Sequence, residues 1–170
     1  MWWIAAIVCV ADQLTKLWAV QVLRPGRKIV LVEDFFQLRW ATNQGGAAGI
    51  LHNYPHVLTV LSMVALVIIL WWAGKVPTEQ KVARIGFGAI LGGATGNMLD
   101  RLFRGEFFFN TYVVDFLDLH WRDFHWPTFN LADSAICVGI VIVIFSQLRT
   151  PRQIIACEPN GRDEGSKAAP

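Results

Sequence analysis

Charge is scarce in this chain: 16% of its 170 residues are Asp, Glu, Lys or Arg, against roughly 25% in ordinary soluble domains. The formal net charge is +2, a basic excess too small for a nucleic-acid surface. Cysteine is scarce as well. Cys9, Cys137 and Cys157 are odd in number and far apart, so neither a disulfide framework nor a cysteine-based zinc site is expected. The 14 glycines and 7 prolines show no period, which excludes a collagen-like or low-complexity chain, and no glycine-rich phosphate loop occurs. Apolar residues are abundant, at 54% of the chain, and mean hydropathy is +0.41. Disorder over most of the chain is thereby excluded. An integral membrane protein or a very apolar globular one remains.

Continuity of the apolar residues separates these two, because a helix crosses the hydrocarbon with about 20 largely apolar residues. Four stretches qualify. Val57 to Ala73 holds no charge over 17 residues and ends in Trp71 and Trp72. Ile85 to Leu99 is uncharged and rich in small residues, Phe129 to Leu148 has the strong apolar core AICVGIVIVIF, and Trp2 to Leu23 is interrupted only by Asp12, Gln13, Lys16 and Gln21. The expected fold is therefore all-α and membrane-embedded, with four transmembrane helices over about 2–23, 57–73, 83–102 and 129–148 in one domain spanning 1–150. Residues 151–170 read as a flexible polar tail.

The first stretch has no basic leading region and no small-residue cleavage site, so it reads as a true span rather than a cleaved signal peptide. Four spans place both termini on one side. Lys and Arg number seven on the side of the 74–84 link and the tail, and six on the side of the two long connections. The positive-inside rule therefore leaves orientation open. In the long connections, Phe36–Trp40 alternates apolar and polar residues and Val113–Leu119 is rich in strand formers. A small β platform on one membrane face is expected, with Trp40, Trp121 and Trp126 at the membrane boundary.

Ionisable groups inside a membrane are costly, so the few present carry most of the functional information. Asp12 and Lys16 sit four apart on one helix face and can neutralise each other, either as a structural ion pair or in support of a site. Gly88, Gly92 and Gly96 repeat every four residues, which suits close helix packing. Asn97 and Arg101 share a face near the end of the same span, where an arginine can also simply snorkel to the headgroups.

Asp115, in the β-like segment, and Asp133, one or two turns into the fourth span, fall at the same membrane face. Two carboxylates meeting at a partly dry site share a proton. One then takes a proton from water while the other assists the substrate carbonyl, which is aspartic peptidase chemistry. Among 13 acids such a pair is only a candidate. Other constellations are weaker. His52 and His56 lack an HExxH context, His120 and His125 flank Trp121 without a recognised pattern, and all four histidines read as interface residues. A dyad of Ser134 or Ser62 with Lys16 competes with the neighbouring Asp12. A proton-coupled transporter would use the same acids but favours midplane sites and internal repeats, and no repeat is visible; a non-catalytic assembly factor is the third class.

Five blocks carry a family resemblance: Asp12-Gln13-Leu14-Thr15-Lys16, Asn43-Gln44-Gly45-Gly46-Ala47, Gly92 through Arg101, Val114-Asp115-Phe116 and Phe129 through Ser134. In this order they resemble the lipoprotein signal peptidases, the type II signal peptidases of bacteria, over nearly all of the chain except the tail. The resemblance implies a four-helix aspartic peptidase of the inner membrane that cuts prolipoproteins before a diacylglyceryl-modified cysteine. It implies cytoplasmic termini, a site at the outer leaflet, inhibition by globomycin, and no cofactor or metal. The catalytic pair falls on Asp115 and Asp133. Asn43, Gly93, Asn97, Arg101, Asn130 and Ala132 match site-lining positions, and Asp12 and Lys16 match the supporting motif. Two departures stand out: Ala48 replaces the aromatic usual after the Asn-x-Gly motif, and the connection from Arg101 to Asp115 is longer than usual.

Overall fold

The computed structural model describes residues 1–24, 26–44, 54–106, 110–122 and 124–149. Gly45 to Ala48, His52, Cys157, part of the long 102–114 connection and the 151–170 tail lie outside the described residues. The four expected helices form with boundaries close to those read from the apolar runs: α1 (Trp2–Leu23), α2 (Pro55–Gly74), α3 (Lys81–Phe103) and α4 (Leu131–Arg149). Pro55 stands in the first turn of α2, where its missing N–H has no helical partner to lose.

The strands are β1 (Lys28–Val32), β2 (Phe36–Asn43), β3 (Gly105–Glu106), β4 (Asn110–Thr111), β5 (Val113–Trp121) and β6 (Phe124–His125). Both segments expected to be extended are strands, and they pair with each other. An antiparallel sheet runs in the order β1-β2-β5-β6, and β3 and β4 form a separate hairpin. These segments join the C-terminal end of α1 to α2 and that of α3 to α4, so the sheet caps one end of the helices. Its core is Val114 and Phe116 of β5 packed on Ala19 and Leu23 of the last turns of α1. The hydroxyls of Thr59 in α2 and Thr111 in β4, 3.0 Å apart, tie α2 to the same end.

The molecule is inverted relative to a soluble domain. Trp3, Ile7 and Leu14 of α1, Val64, Val67 and Ile68 of α2, and Ile140, Val141 and Ile144 of α4 are exposed, whereas Asp12, Lys16, Asp100, Arg101, Asp115, Asp118 and Asn130 are buried. Water would penalise such apolar exposure; lipid does not. Trp2–Leu23, Pro55–Gly74 and Leu131–Leu148 are long and apolar enough to cross a membrane. The remaining helix, α3, is 23 residues long but carries Lys81, Arg84, Asp100 and Arg101 together with its glycines. It packs against all three other helices and so presents little surface to lipid.

Glycine makes that central position possible. A Cβ at Gly88 or Gly92 would meet Ile4 or Val8 of α1, and one at Gly96 would overlap the Asp12 carboxylate. On the other side, Gly93 lies against the carbonyl of Ala132 and Gly86 against Gly139 of α4. Gly93→Ala therefore pushes α3 off α4 at the level of Ala132. Helix propensity favours alanine by about 1 kcal/mol, but overpacking a tight contact costs about 1–3 kcal/mol, and the backbone carbonyl cannot rotate away. A net fall in the thermal unfolding midpoint in detergent is expected; an unchanged or higher midpoint would show that the contact is slack.

Candidate active site

Asp115 projects from β5, and Asp133 from the first turn of α4. The helix starts at Leu131, two residues later than the apolar run suggests, so Asp133 stands in its first turn rather than deeper within it. Asn130 provides the start signal: the N–H of Asp133 donates to Asn130 Oδ1 at 3.0 Å, and the N–H of Asn130 donates back to Asp133 Oδ2 at 3.2 Å. This reciprocal cap satisfies two otherwise orphaned donors and fixes the carboxylate of Asp133 against the backbone.

Asn97 of α3 completes the hold. Its Nδ2 donates to Asp133 Oδ1 at 2.8 Å, while its Oδ1 accepts from Lys16 Nζ at 2.8 Å. Asn130 Nδ2 donates to Asp115 Oδ1 at 2.7 Å, so one asparagine touches both aspartates, capping one and donating to the other. Asn43 at the end of β2 also hydrogen-bonds to Asp115. Asp115 is only 2% exposed. Burial first, then the nearby charge of Asp133, raises its carboxyl from 3.8 to about 7, against the opposing pull of the Asn130 and Asn43 donors.

Arg101 is buried rather than snorkelling, and it acts electrostatically on both Asp115 and Asp133. Among the described residues its Nη1 finds no hydrogen-bond partner. A buried guanidinium N–H without a partner is costly, unless a ligand oxygen fills the gap. Gly93 and Ala132 touch one another, as the fold requires, and set the α3–α4 spacing across which Asn97 reaches Asp133.

Beneath the two aspartates lies a buried charge network. Lys16 Nζ stands 2.8 Å from Asp12 Oδ2 and 3.2 Å from Asp100 Oδ2, and Arg104 Nε is 2.7 Å from Asp100 Oδ1. The N–H of Ala132 donates to Asp12 Oδ1 at 3.0 Å, and the N–H of Val114 donates to Asp100 Oδ2 at 3.0 Å. The Asp12–Lys16 pair thus reaches the start of α4 and the strand residue before Asp115. Asp100 belongs to this buried network, although it is not among the residues expected from the sequence; its spacing of four from Arg104 at the end of an uncharged run is the signal that marks it. Ser62 and Ser134 donate to backbone carbonyls of Leu58 and Asn130, and Lys16 is held by Asp12, Asp100 and Asn97, which leaves no serine–lysine dyad.

Asp118, His120 and His125 form a second polar cluster on the sheet. Gln37 Nε2 donates to Asp118 Oδ2 at 2.6 Å and Arg39 Nε approaches the same oxygen at 2.8 Å. These donors and His125 hold the Asp118 carboxyl below the usual range even though burial works the other way.

The family model for signal peptidase (SPase) II matches residues 4–149. The lipoprotein signal peptidase of Syntrophotalea carbinolica is 40% identical over 149 residues, covering 86% of this chain and 89% of the relative. That of Alteromonas mediterranea is 34% identical over 171 residues, covering 98% and 89%. A solved bacterial membrane enzyme, determined by the in meso method, superposes with a TM-score of 0.73 at 25% identity, covering 96% of this chain and 92% of its own. With 4–149 matched end to end and relatives aligned over most of their length, the chain belongs to the signal peptidase II family.

Proposed function

We propose that Asp115 and Asp133 are the catalytic pair with which this chain, a peptidase, removes the signal peptide from prolipoproteins. The observation that carries the assignment is their joint suspension from Asn130, with Asp115 buried and raised to about 7. Asp115 holds the shared proton. Asp133, whose two oxygens accept from Asn97 and the Asn130 N–H, is the acceptor. A water between them gives a proton to Asp133 as its oxygen attacks the scissile carbonyl carbon, and Asp115 protonates the carbonyl oxygen. As the tetrahedral diol collapses, one of its hydroxyl protons returns to Asp115 and Asp133 passes its proton to the leaving nitrogen, which restores the starting pair. Nη1 of Arg101, without a partner among the described residues, supplies a donor for a substrate carbonyl. Asn43, Asn97 and Asn130 orient the carboxylates, Gly93 and Ala132 line the approach, and Asp12 and Lys16 support the floor.

A substrate bearing a diacylglyceryl cysteine reaches such a site sideways from the bilayer. The location at one end of the helices, under a sheet whose Val30, Val32, Phe35, Trp121, Phe124 and Trp126 are exposed, supports that route. α3 counts as the fourth span, residues 1–150 act as one membrane-embedded domain, and 151–170 as a cytoplasmic tail. Both termini then face the cytoplasm, and the site lies at the outer leaflet of the inner membrane. Globomycin is the expected inhibitor. Orientation is tested with a thiol reagent that does not cross membranes. In intact cells, Val30→Cys is labelled and Thr78→Cys is not; the reverse pattern overturns the orientation.

The pH profile tests the shared proton. kcat/KM falls on the alkaline side with an apparent pKa near 7, a property of the coupled pair, because loss of the proton from Asp115 leaves two carboxylates and no acid. Asn43→Ala removes a donor that favours the charged form of Asp115 and moves that limb upward. An alkaline limb that stays in place in this variant while activity falls assigns Asn43 a purely structural role.

A further inference from the structure

We infer that Asp118, His120 and His125 form a binding site for one divalent transition-metal ion of the zinc class, on the sheet face turned away from Asp115. Strand geometry assembles it. His120 and His125 are directly paired across β5 and β6, and Asp118 precedes His120 by two residues, so all three side chains share one face. Asp115, an odd number of residues from Asp118, takes the other face. One ring nitrogen of each histidine and one carboxylate oxygen lie within 4.8 Å of one another.

Several features suit an ion there. His125 Nδ1 is 3.0 Å from Asp118 Oδ1, close to the spacing of two donors on a single zinc ion at about 2.0–2.1 Å from each. The rings of His120 and His125 stack, with centroids 4.9 Å apart and an interplanar angle of 14°, which keeps the two imidazoles side by side on one face of the sheet. His120 Nδ1 is buried and has no hydrogen-bond partner among the described residues. Gln37 and Arg39 both engage Asp118 Oδ2 and orient the carboxylate, as outer-shell partners do in metal sites, while Oδ1 contacts His125 Nδ1, a hydrogen bond that an ion between the two atoms would replace. The His125 side chain is 41% exposed, so a rotation that gives up its contact with Asp118 Oδ2 would close the longer separations, with water as a fourth ligand.

Two imidazoles and a carboxylate suit zinc, copper or nickel rather than magnesium or calcium. The ion would clamp β6, only two residues long, to β5, a hairpin too short to be stable alone. This site takes no part in the hydrolysis proposed above and stands or falls separately from it.

The test uses full-length, tag-free protein in detergent, titrated with Co2+ and then with Zn2+. A saturating visible absorption band at one Co2+ per chain, displaced by Zn2+, is expected. His120→Gln and His125→Gln each weaken Zn2+ binding by at least about tenfold, whereas His56→Asn and Asp115→Asn leave it unchanged. If His120→Gln unfolds, by far-UV circular dichroism, the exposed His125→Gln carries the test. No saturable binding, binding that survives both histidine variants, or binding that is lost with His56→Asn overturns the inference.

Discussion

Asp115→Asn and Asp133→Asn each lower kcat/KM for cleavage of a diacylglyceryl-modified prolipoprotein by about a thousandfold or more, at wild-type abundance in the membrane. General acid and general base each contribute about 10²–10⁴-fold. An amide at 133 still accepts the hydrogen bond that Asn97 donates to Oδ1, but it cannot take a proton from water. An amide at 115 still accepts from Asn130, but it has no acidic proton to give. Full-rate cleavage by either variant sinks the dyad. The two losses are non-additive, because the residues act as a unit, so the double variant is barely worse than either single one.

The Asp115 variant also separates chemistry from folding. With its pKa raised in the folded state from 3.8 to about 7, Asp115 favours folding fully below pH 3.8, and that stability is lost as pH rises through about 7. At about 1.4 kcal/mol per pH unit, ionising it in place costs on the order of 4 kcal/mol. Asp115→Asn never ionises. Its thermal unfolding midpoint therefore matches wild type near pH 4 and exceeds it at pH 8, so the inactive protein is the more stable one. A variant no better at pH 8 than at pH 4, relative to wild type, would mean that Asp115 is solvated in the folded protein. Such a trade of stability for activity is what a desolvated catalytic acid requires.

How far the sequence carries depends on which physical signal each element rests on. α1 is readable to the residue because its apolar run begins and ends sharply at Trp2 and Leu23. The apolar run places the start of α4 too early because Phe129, also apolar, belongs to an extended segment bridged to Leu117; hydropathy alone does not separate a strand end from a helix start. β1 escapes notice for a similar reason, since KIVLV is a short apolar run without alternation. The two aspartates, 18 residues apart in sequence, are singled out by motif order and by their shared membrane face. Their joint attachment to Asn130 needs the bridge that folds 127–130 back along β5. The Asp118 cluster is invisible in the sequence because it depends on the cross-strand pairing of His120 with His125, beyond a reversal at which Arg122 adopts a φ of 54°.

The second large effect is expected at Lys16, far from any reacting atom. Lys16 is fully buried between Asp12 and Asp100 and also donates to Asn97. With Arg104 on Asp100, two cations offset two carboxylates and the network is neutral. Lys16→Met keeps most of the volume but leaves one buried negative charge uncompensated, a loss of about 3–5 kcal/mol for a broken buried pair. That is a large share of the ~5–15 kcal/mol that ordinarily separates folded from unfolded, so low abundance and a much lower thermal midpoint are expected. The charge, rather than the lost packing, causes most of it. Lys16→Met combined with Asp12→Asn restores neutrality and recovers a substantial part of the stability, because an amide oxygen at position 12 still accepts from the Ala132 N–H that bonds to Asp12 in the wild type. Activity recovers less than stability, since Asn97 loses the cation that fixes its amide orientation and with it the donor to Asp133. A double variant as unstable as the single one would place the cost in packing. A single variant within about 1 kcal/mol of wild type, far below the loss expected for a broken buried pair, would show that water or a proton already compensates the aspartates.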